Sequence, residues 1–323
     1  MNAFEYANPA SVEEAVGLLA ASWGETEVLA GGTDLISLLK QGLTQPRLVV
    51  SLKNVKALSG IESKGGAVRI GAMTTLKDFV ANKDVQKNFP GLVQAARNIA
   101  SQQMLNMGTV GGDLLQRPRC WYYRNGLGLL GMKDGKSLIE TGENRYHAIF
   151  ANAGAAKFVH ASSLAPGMVA LGATMHVQGP KSERAVAAGD FFAAPKTETD
   201  RESVLAPNEV LTAIEIPAAS LKNGVYEVRH RKGLDWPMVA AFVAFINEGG
   251  KAKDARIVLG HVAPGPWHSK KGSAALEGQP VTDASLANAA EAALAEATPL
   301  SGNKYKVPQA KVAIRRAGLA ALA

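Results

Sequence analysis

The residue types and spacings that could do chemistry in this chain sit mostly in glycine-rich turns. In Val28-Leu29-Ala30-Gly31-Gly32-Thr33-Asp34-Leu35 an apolar strand runs into paired glycines, then into a helical run that stops at Gly42. Glycines at such a junction let backbone N–H groups approach a ligand with no Cβ in the way. Thr33 or Asp34 can cap the helix, and the positive end of its dipole then faces whatever lies on the turn. The corner suits a phosphate or diphosphate; a plain strand–turn–helix connection is the other reading. Asn106-Met107-Gly108-Thr109-Val110-Gly111-Gly112-Asp113-Leu114 repeats the theme, and Ile70-Gly71-Ala72-Met73-Thr74-Thr75-Leu76 is a weaker copy. Three such turns would form a wall of amides and hydroxyls able to cradle a long, phosphate-bearing molecule.

Other chemistry is hard to find. There is no G-x-S-x-G, no H-E-x-x-H and no P-loop. Gly126-Leu127-Gly128-Leu129-Leu130-Gly131 satisfies G-x-G-x-x-G, but Lys133-Asp134-Gly135-Lys136 admits no following helix and no βαβ unit surrounds it. The six histidines are dispersed and read as surface or capping residues; His147, His160 and His261 show no partner for covalent attachment of a cofactor. Cys120 is the only cysteine, which excludes a disulfide framework, a Cys-ligated zinc site and an iron–sulfur cluster held by this chain alone. No catalytic residue and no metal ligand is assigned.

The elements that must position the turns follow from periodicity. Ser11-Val12-Glu13-Glu14 reads as a capping box for a helix ending near Ser22, and Leu48-Val49-Val50-Ser51-Leu52 as a buried strand. Gly65-Gly66 reads as a hairpin turn, Thr75 as a cap with Asp78 three residues on, and residues 91–101 as a helix. Residues 115–160 read as loop-like, with Trp121-Tyr122-Tyr123 either a cluster at an interface or a bound cofactor or simply core for a long loop. A short helix from Ser162 to Leu171 and strands at residues 175–177 and 211–216 follow, with Pro217 closing the domain. Beyond it, residues 226–231, 239–246 and 256–261 suit antiparallel strands, the first two joined across Gly233-Leu234-Asp235-Trp236-Pro237, and residues 284–297 an alanine-rich helix. Strands in hairpins as well as between helices make an α+β fold.

At 323 residues the chain has room for two or three domains and a substantial core. A net charge of +7 invites a nucleic-acid reading. The basic residues are scattered, however, apart from Arg117/Arg119/Arg124 and the tail Lys304, Lys306, Lys311, Arg315, Arg316, which read as solvated faces or subunit contacts. No apolar run approaches the length of a membrane span, and a cytoplasmic location is expected.

Taken in order, the motifs 29–35, 70–76 and 108–114, the segment from Tyr226 to Pro237, and Gly260-His261-Val262-Ala263-Pro264 resemble the FAD-binding medium subunit of the xanthine dehydrogenase family of molybdenum hydroxylases. Carbon monoxide dehydrogenase medium subunits belong to the same group. The resemblance covers nearly the whole chain. It implies a two-subdomain FAD-binding domain of the vanillyl-alcohol oxidase (PCMH) type over residues 1–217 (subdomains about 1–60 and 61–217), then a small α+β C-terminal domain over 218–323. It implies non-covalent FAD, no metal on this chain, and partners: a molybdenum-cofactor large subunit and a [2Fe-2S] small subunit, in a heterotrimer or a dimer of heterotrimers. Electrons would pass from the clusters through FAD to an external acceptor. A stand-alone flavin oxidase acting directly on a small organic substrate is the alternative.

Carried over by position, the resemblance makes Val28, Leu29, Ala30, Gly31, Gly32, Thr33, Asp34 and Leu35 the diphosphate corner. Gly108, Thr109, Gly111, Gly112, Asp113 and Leu114 would line the diphosphate and flavin side. Ala72 and Thr74 would lie near the flavin, Ser163 near the adenosine end, and Val210 and Leu211 would pack on the cofactor. Three positions depart from the pattern: Asp113 stands where many members have asparagine, Ser163 where many have aspartate, and Glu227 where lysine is frequent. An anion at 113 is unfavourable beside a diphosphate unless it faces away or meets a cation. Some relatives carry a [4Fe-4S] cluster in an insertion after the second turn, which a chain with Cys120 alone cannot ligate.

Overall fold

The computed structural model describes residues 1–99, 101–231 and 235–322. The N-terminal strands form a three-stranded parallel sheet in the order Glu5–Ala7, Leu48–Ser51, Thr26–Leu29. Leu48–Ser51 is buried at every position and takes the centre, as its unbroken apolar run requires. The helix expected to reach Ser22 spans only Val12–Gly17. Ser11 does cap it by accepting from Glu14 N, but the Glu14 carboxylate accepts from Ala10 N, outside the box. Beyond Gly17, Ala20 N donates to Thr26 Oγ1, which draws the chain out of the helix. The helix Leu35–Gln41 ends at Gly42 with φ 70°, a left-handed position glycine takes without strain.

A five-stranded antiparallel sheet follows, ordered Ile61–Lys64, Ala67–Gly71, Val210–Pro217, Thr174–Gln178, Glu183–Ala187. Gly65 and Gly66 turn its first hairpin with φ of 62° and 78°, the pair of positive values such a tight turn needs. The edge strand Glu183–Ala187 was not legible in the sequence, because one face is wet and its charged residues mask the alternation. Thr75 caps Leu76–Ala81 by accepting from Asp78 N. The helices Lys83–Asn88, Pro90–Arg97, Gln102–Met107 and Ala165–Ala170 pack around the same core.

The C-terminal sheet is antiparallel, ordered Leu221–Val228, Val239–Glu248, Lys251–Gly260, Trp267–His268. The Gly233-Leu234 part of the expected connection lies outside the described residues. Within Val239–Glu248, the residues from Val239 to Phe245 are buried on both faces. Phe242 and Ala244 join the core of the preceding region, while Val239, Ala241, Val243 and Phe245 face the helices Lys270–Leu276, Asp283–Leu294 and Lys306–Ala320. Phe242 is seated by two glycines, since a Cβ on Gly91 or Gly167 would lie 2.8 Å or 2.7 Å from its ring. Asn223 fastens the joint, accepting from Gly91 N at 2.9 Å and donating to Asn88 O at 3.0 Å. The helix of the basic tail packs one face on the core through Ala310, Ala313, Ile314 and Ala317, while Lys304 and Arg316 stay exposed and Lys306 alone of the tail's cations is buried. Lys306 is buried and donates to the carbonyls of Tyr146 and His261, and burial pulls its ammonium down to about 7. Arg315 pairs with Asp283.

Residues 115–160 are largely irregular, with the short helices Trp121–Arg124 and Leu138–Thr141 and a two-residue hairpin. Leu129, Leu130, Ala156 and Phe158 form a small apolar cluster edged by Cys120 and Tyr123. The G-x-G-x-x-G run serves that loop: Gly126, Gly128 and Gly131 take positive φ, and Leu129 N and Leu130 N donate to the Glu198 carboxylate. Among the described residues, no helix is long and apolar enough to cross a membrane.

Candidate functional site

The three glycine turns meet in space. Leu76 N donates to Gly108 O at 2.8 Å, Val110 N to Thr74 O at 2.9 Å, and Gly111 N to Ala72 O at 2.8 Å, so the second and third copies are laced together. Gly112 N donates to Thr109 Oγ1, which caps the helix Val110–Leu114. The first copy leans on this frame at Gly31, where a Cβ would fall 1.9 Å from Met107 O. Only glycine permits that approach. Gly32 follows with φ 75°. Among the described residues, no acceptor takes the amide hydrogens of Gly31, Gly32, Thr33 or Asp34. Polar backbone groups without a protein partner at a concave surface are donors offered to water or a ligand.

Asp34 occupies the N-cap position of Leu35–Gln41, yet its side chain makes no cap bond. This overturns the capping expectation for Asp34. Its carboxylate turns to cations instead. Oδ2 accepts from Arg117 N at 2.9 Å, while Oδ1 accepts from Arg124 Nη2 at 2.9 Å and lies 3.1 Å from Arg119 Nη1. Charge-assisted bonds outcompete a neutral amide for a carboxylate. The three arginines are therefore not a solvated face. Arg117 pairs with the buried Glu202 at 3.1 Å, and Tyr123 lies between Arg117 and Arg124 with centroid distances of 5.4 Å and 5.6 Å. Tyr122 packs edge-on to His147, and Trp121 edge-on to Tyr146, so the aromatic cluster braces its own loop.

Asp113 faces away from the turn. Its carboxylate accepts from Ser162 Oγ, from Leu164 N at 3.2 Å and from Gln116 Nε2 at 2.9 Å. Burial pushes it up to about 6, against the lowering effect of the Ser162 and Leu164 bonds. Asp113 thus ties the second turn to the start of the helix Ala165–Ala170. Ser163 donates to Glu227, whose other oxygen accepts from Arg229 Nη2 at 2.8 Å. The acid at 227 is thereby matched by a neighbouring guanidinium.

A groove of about 1270 Å³, open to solvent, runs along the turns. Val28, Ala30, Gly31, Gly32, Thr33, Asp34, Leu35, Ala72, Thr109, Gly111, Gly112, Leu114, Val210 and Leu211 all line it. Five of the expected residues stand behind or beside the wall. Leu29 packs with Leu35, Leu39 and Val49. The Thr74 hydroxyl is held by Gly60, donating to its carbonyl and accepting from its amide. Gly108 spends its carbonyl on Leu76 N. Asp113 and Ser163 point inward as described. Trp23, Arg201, Glu202, Leu205 and Pro207 also line the groove, and sequence reasoning missed them. Arg201 stacks 4.5 Å from the Trp23 centroid and pairs with Glu27 at 3.2 Å. No local pattern marks these residues, because most reach the groove from an irregular segment far along the chain.

The three histidines read as surface or capping residues are in fact buried. Burial holds His147 and His160 down to about 4 and His261 down to about 3, so all are neutral near pH 7. His160 packs edge-on to Phe192.

The donor set fits FAD: uncommitted amides at a Cβ-free corner for a diphosphate, and apolar walls at Val210, Leu211 and Leu205 for a flat ring. Comparison with known proteins leads the same way. A family model described as the FAD binding domain in molybdopterin dehydrogenase matches residues 2–219, and one for the CO dehydrogenase flavoprotein C-terminal domain matches residues 224–321. The carbon monoxide dehydrogenase medium chain of Hydrogenophaga pseudoflava is 30% identical over 320 residues, covering 97% of this chain and 95% of that one. The aldehyde oxidoreductase FAD-binding subunit PaoB of Escherichia coli is 29% identical over 321 residues, covering 96% of each. A chain in the crystal structure of quinoline 2-oxidoreductase from Pseudomonas putida 86 superposes with a TM-score of 0.78 at 28% identity, over 99% of this chain and 98% of that one.

Proposed function

The chain belongs to the FAD-binding subunits of the molybdenum hydroxylases, and on that premise we propose that it holds FAD non-covalently along the groove of the glycine turns. The diphosphate takes the amides of Gly31, Gly32, Thr33 and Asp34, and the adenosine half packs on Leu211 and Val210. The observation that carries this reading is the row of uncommitted amides at a corner where Gly31 has no room for a Cβ. When bound, FAD supplies one- and two-electron transfer. The protein's own residues hold it, exclude water and fix its distance to a donor. Asp34, held by Arg124 and by Arg117 N, fixes the turn that offers the amides.

Electrons arrive from [2Fe-2S] clusters of a small partner subunit and leave to an external acceptor, while a large subunit carries the molybdenum cofactor. A heterotrimer, or a dimer of heterotrimers, follows from the same premise. We also propose the division of the chain at residue 217, supported by Pro217 ending the strand Val210–Pro217. A reducing, cytoplasmic setting is in keeping with the lone free cysteine.

Purification from the native source tests the reading. Molybdenum- and iron-containing partners should copurify, with about one FAD per chain released intact by acid precipitation. Flavin that stays with the precipitated protein contradicts the non-covalent assignment. Turnover of an organic substrate by the chain alone, with no partner, contradicts the electron-transfer role.

A further inference from the structure

Arg119 touches three separate parts of the molecule. Its Nη1 lies 3.1 Å from Asp34 Oδ1 at the end of the first glycine turn, and its Nη2 donates to Gln116 Oε1 at 3.1 Å. Its guanidinium lies over Trp236 of the C-terminal region, 4.6 Å from the ring centroid. Asp34 and Gln116 line the groove of the glycine turns. Arg119 and Trp236 line a second cavity of about 660 Å³. The side chain of Arg119 therefore lines the second cavity while touching two residues that line the first.

The second cavity is built for a planar, electron-rich group. Trp121, Tyr146 and Trp236 give it aromatic walls. Lys306 and His261 are buried in its lining, and His261 Nε2 has no hydrogen-bond partner among the described residues. Arg119 is not needed to neutralise Asp34, because Arg124 already donates to the same oxygen at 2.9 Å and Arg117 N serves the other. Two guanidiniums share one carboxylate oxygen, and Arg119 Nε is buried with no partner among the described residues. Its departure thus costs one ion pair that Asp34 can lose, one bond to Gln116 and one stacking contact.

We propose that Arg119 is a latch between the two cavities, turning out from between Asp34 and Trp236 so that the ring-bearing half of a dinucleotide passes from the groove into the Trp236 cavity. This rests on the FAD reading above. A ligand that ends at its diphosphate fills the groove alone and does not meet the latch.

Association rates of FAD and of ADP with the full chain stripped of flavin, measured by stopped flow, test the latch. In Arg119→Ala, FAD association should rise about tenfold while ADP association stays within about twofold. Trp236→Ala, which removes the stacking face and leaves the Asp34 contact, should give the same selective rise. Equal changes for FAD and ADP, or no change for FAD, in whichever of these variants folds would overturn the latch. Wild-type chain that takes up ADP but never FAD would instead overturn the FAD reading itself.

Discussion

At Gly31–Asp34 the amide hydrogens meet no acceptor among the described residues, whereas at Val110–Gly112 every one is spent, on Thr74 O, Ala72 O and Thr109 Oγ1. The two stretches are written in nearly the same residues. Their aspartates also part ways: Asp34 turns to Arg119 and Arg124, and Asp113 turns inward to Ser162 and Leu164 N. The second turn is a brace, and the first is the surface it holds up. Paired glycines mark a close approach of main chain. Whether the approach is to a ligand or to a neighbouring strand depends on what lies across from them, which no local pattern records.

The comparison breaks most severely at Gly31. Gly31→Ala forces a Cβ to within 1.9 Å of a backbone oxygen, so the corner must part from its brace, at a cost of about 4 kcal/mol. Urea unfolding should show that loss together with loss of FAD. Gly112→Ala meets only the Thr109 hydroxyl at 2.9 Å and should cost about 1 kcal/mol with FAD retained.

Asp113 gives the next largest effect, and one with a pH signature. Its folded value of about 6 lies above the ordinary 3.8. The group therefore favours the fold when protonated, below 3.8, and that advantage is lost as pH rises through 6. Asp113→Asn does not titrate and can still accept from Leu164 N. Relative to wild type it should gain about 3 kcal/mol between pH 4 and pH 7. Melting temperatures of the two proteins across that range check this; a constant difference would mean that Asp113 stays ionised.

Much of this architecture was legible in advance. Gly65-Gly66, Thr75 with Asp78, and the run from Leu48 state their roles within a few residues. Most of the residues expected at the site line one groove, because its amides come from glycine motifs. Arg201, Trp23 and Glu202 were not expected there, since they meet only through the tertiary fold. The fate of Arg117, Arg119 and Arg124 was likewise hidden, because their partners Asp34 and Glu202 lie 83 or more positions away in sequence. Of the tail cations read as solvated faces or subunit contacts, Lys306 is the exception, since charge counting does not show that it is buried against two carbonyls.

A smaller effect sharpens the contrast between the aspartates. Asp34→Asn keeps the shape but leaves two partly buried guanidiniums without a countercharge. It should cost about 2 kcal/mol and weaken FAD binding about tenfold as the turn loosens. Smallest of all, Arg315→Ala breaks an exposed pair with Asp283 and should cost about 0.5 kcal/mol or less, with FAD affinity unchanged.

The most direct test follows the backbone amides themselves by ¹H–¹⁵N NMR while ADP is titrated into the full chain. The amide signals of Gly31, Gly32, Thr33 and Asp34 should move strongly downfield and gain protection from exchange, while those of Val110, Gly111 and Gly112 hold nearly still. Large shifts confined to the second turn, with the first unmoved, would contradict the assignment of the diphosphate to the Gly31–Asp34 corner.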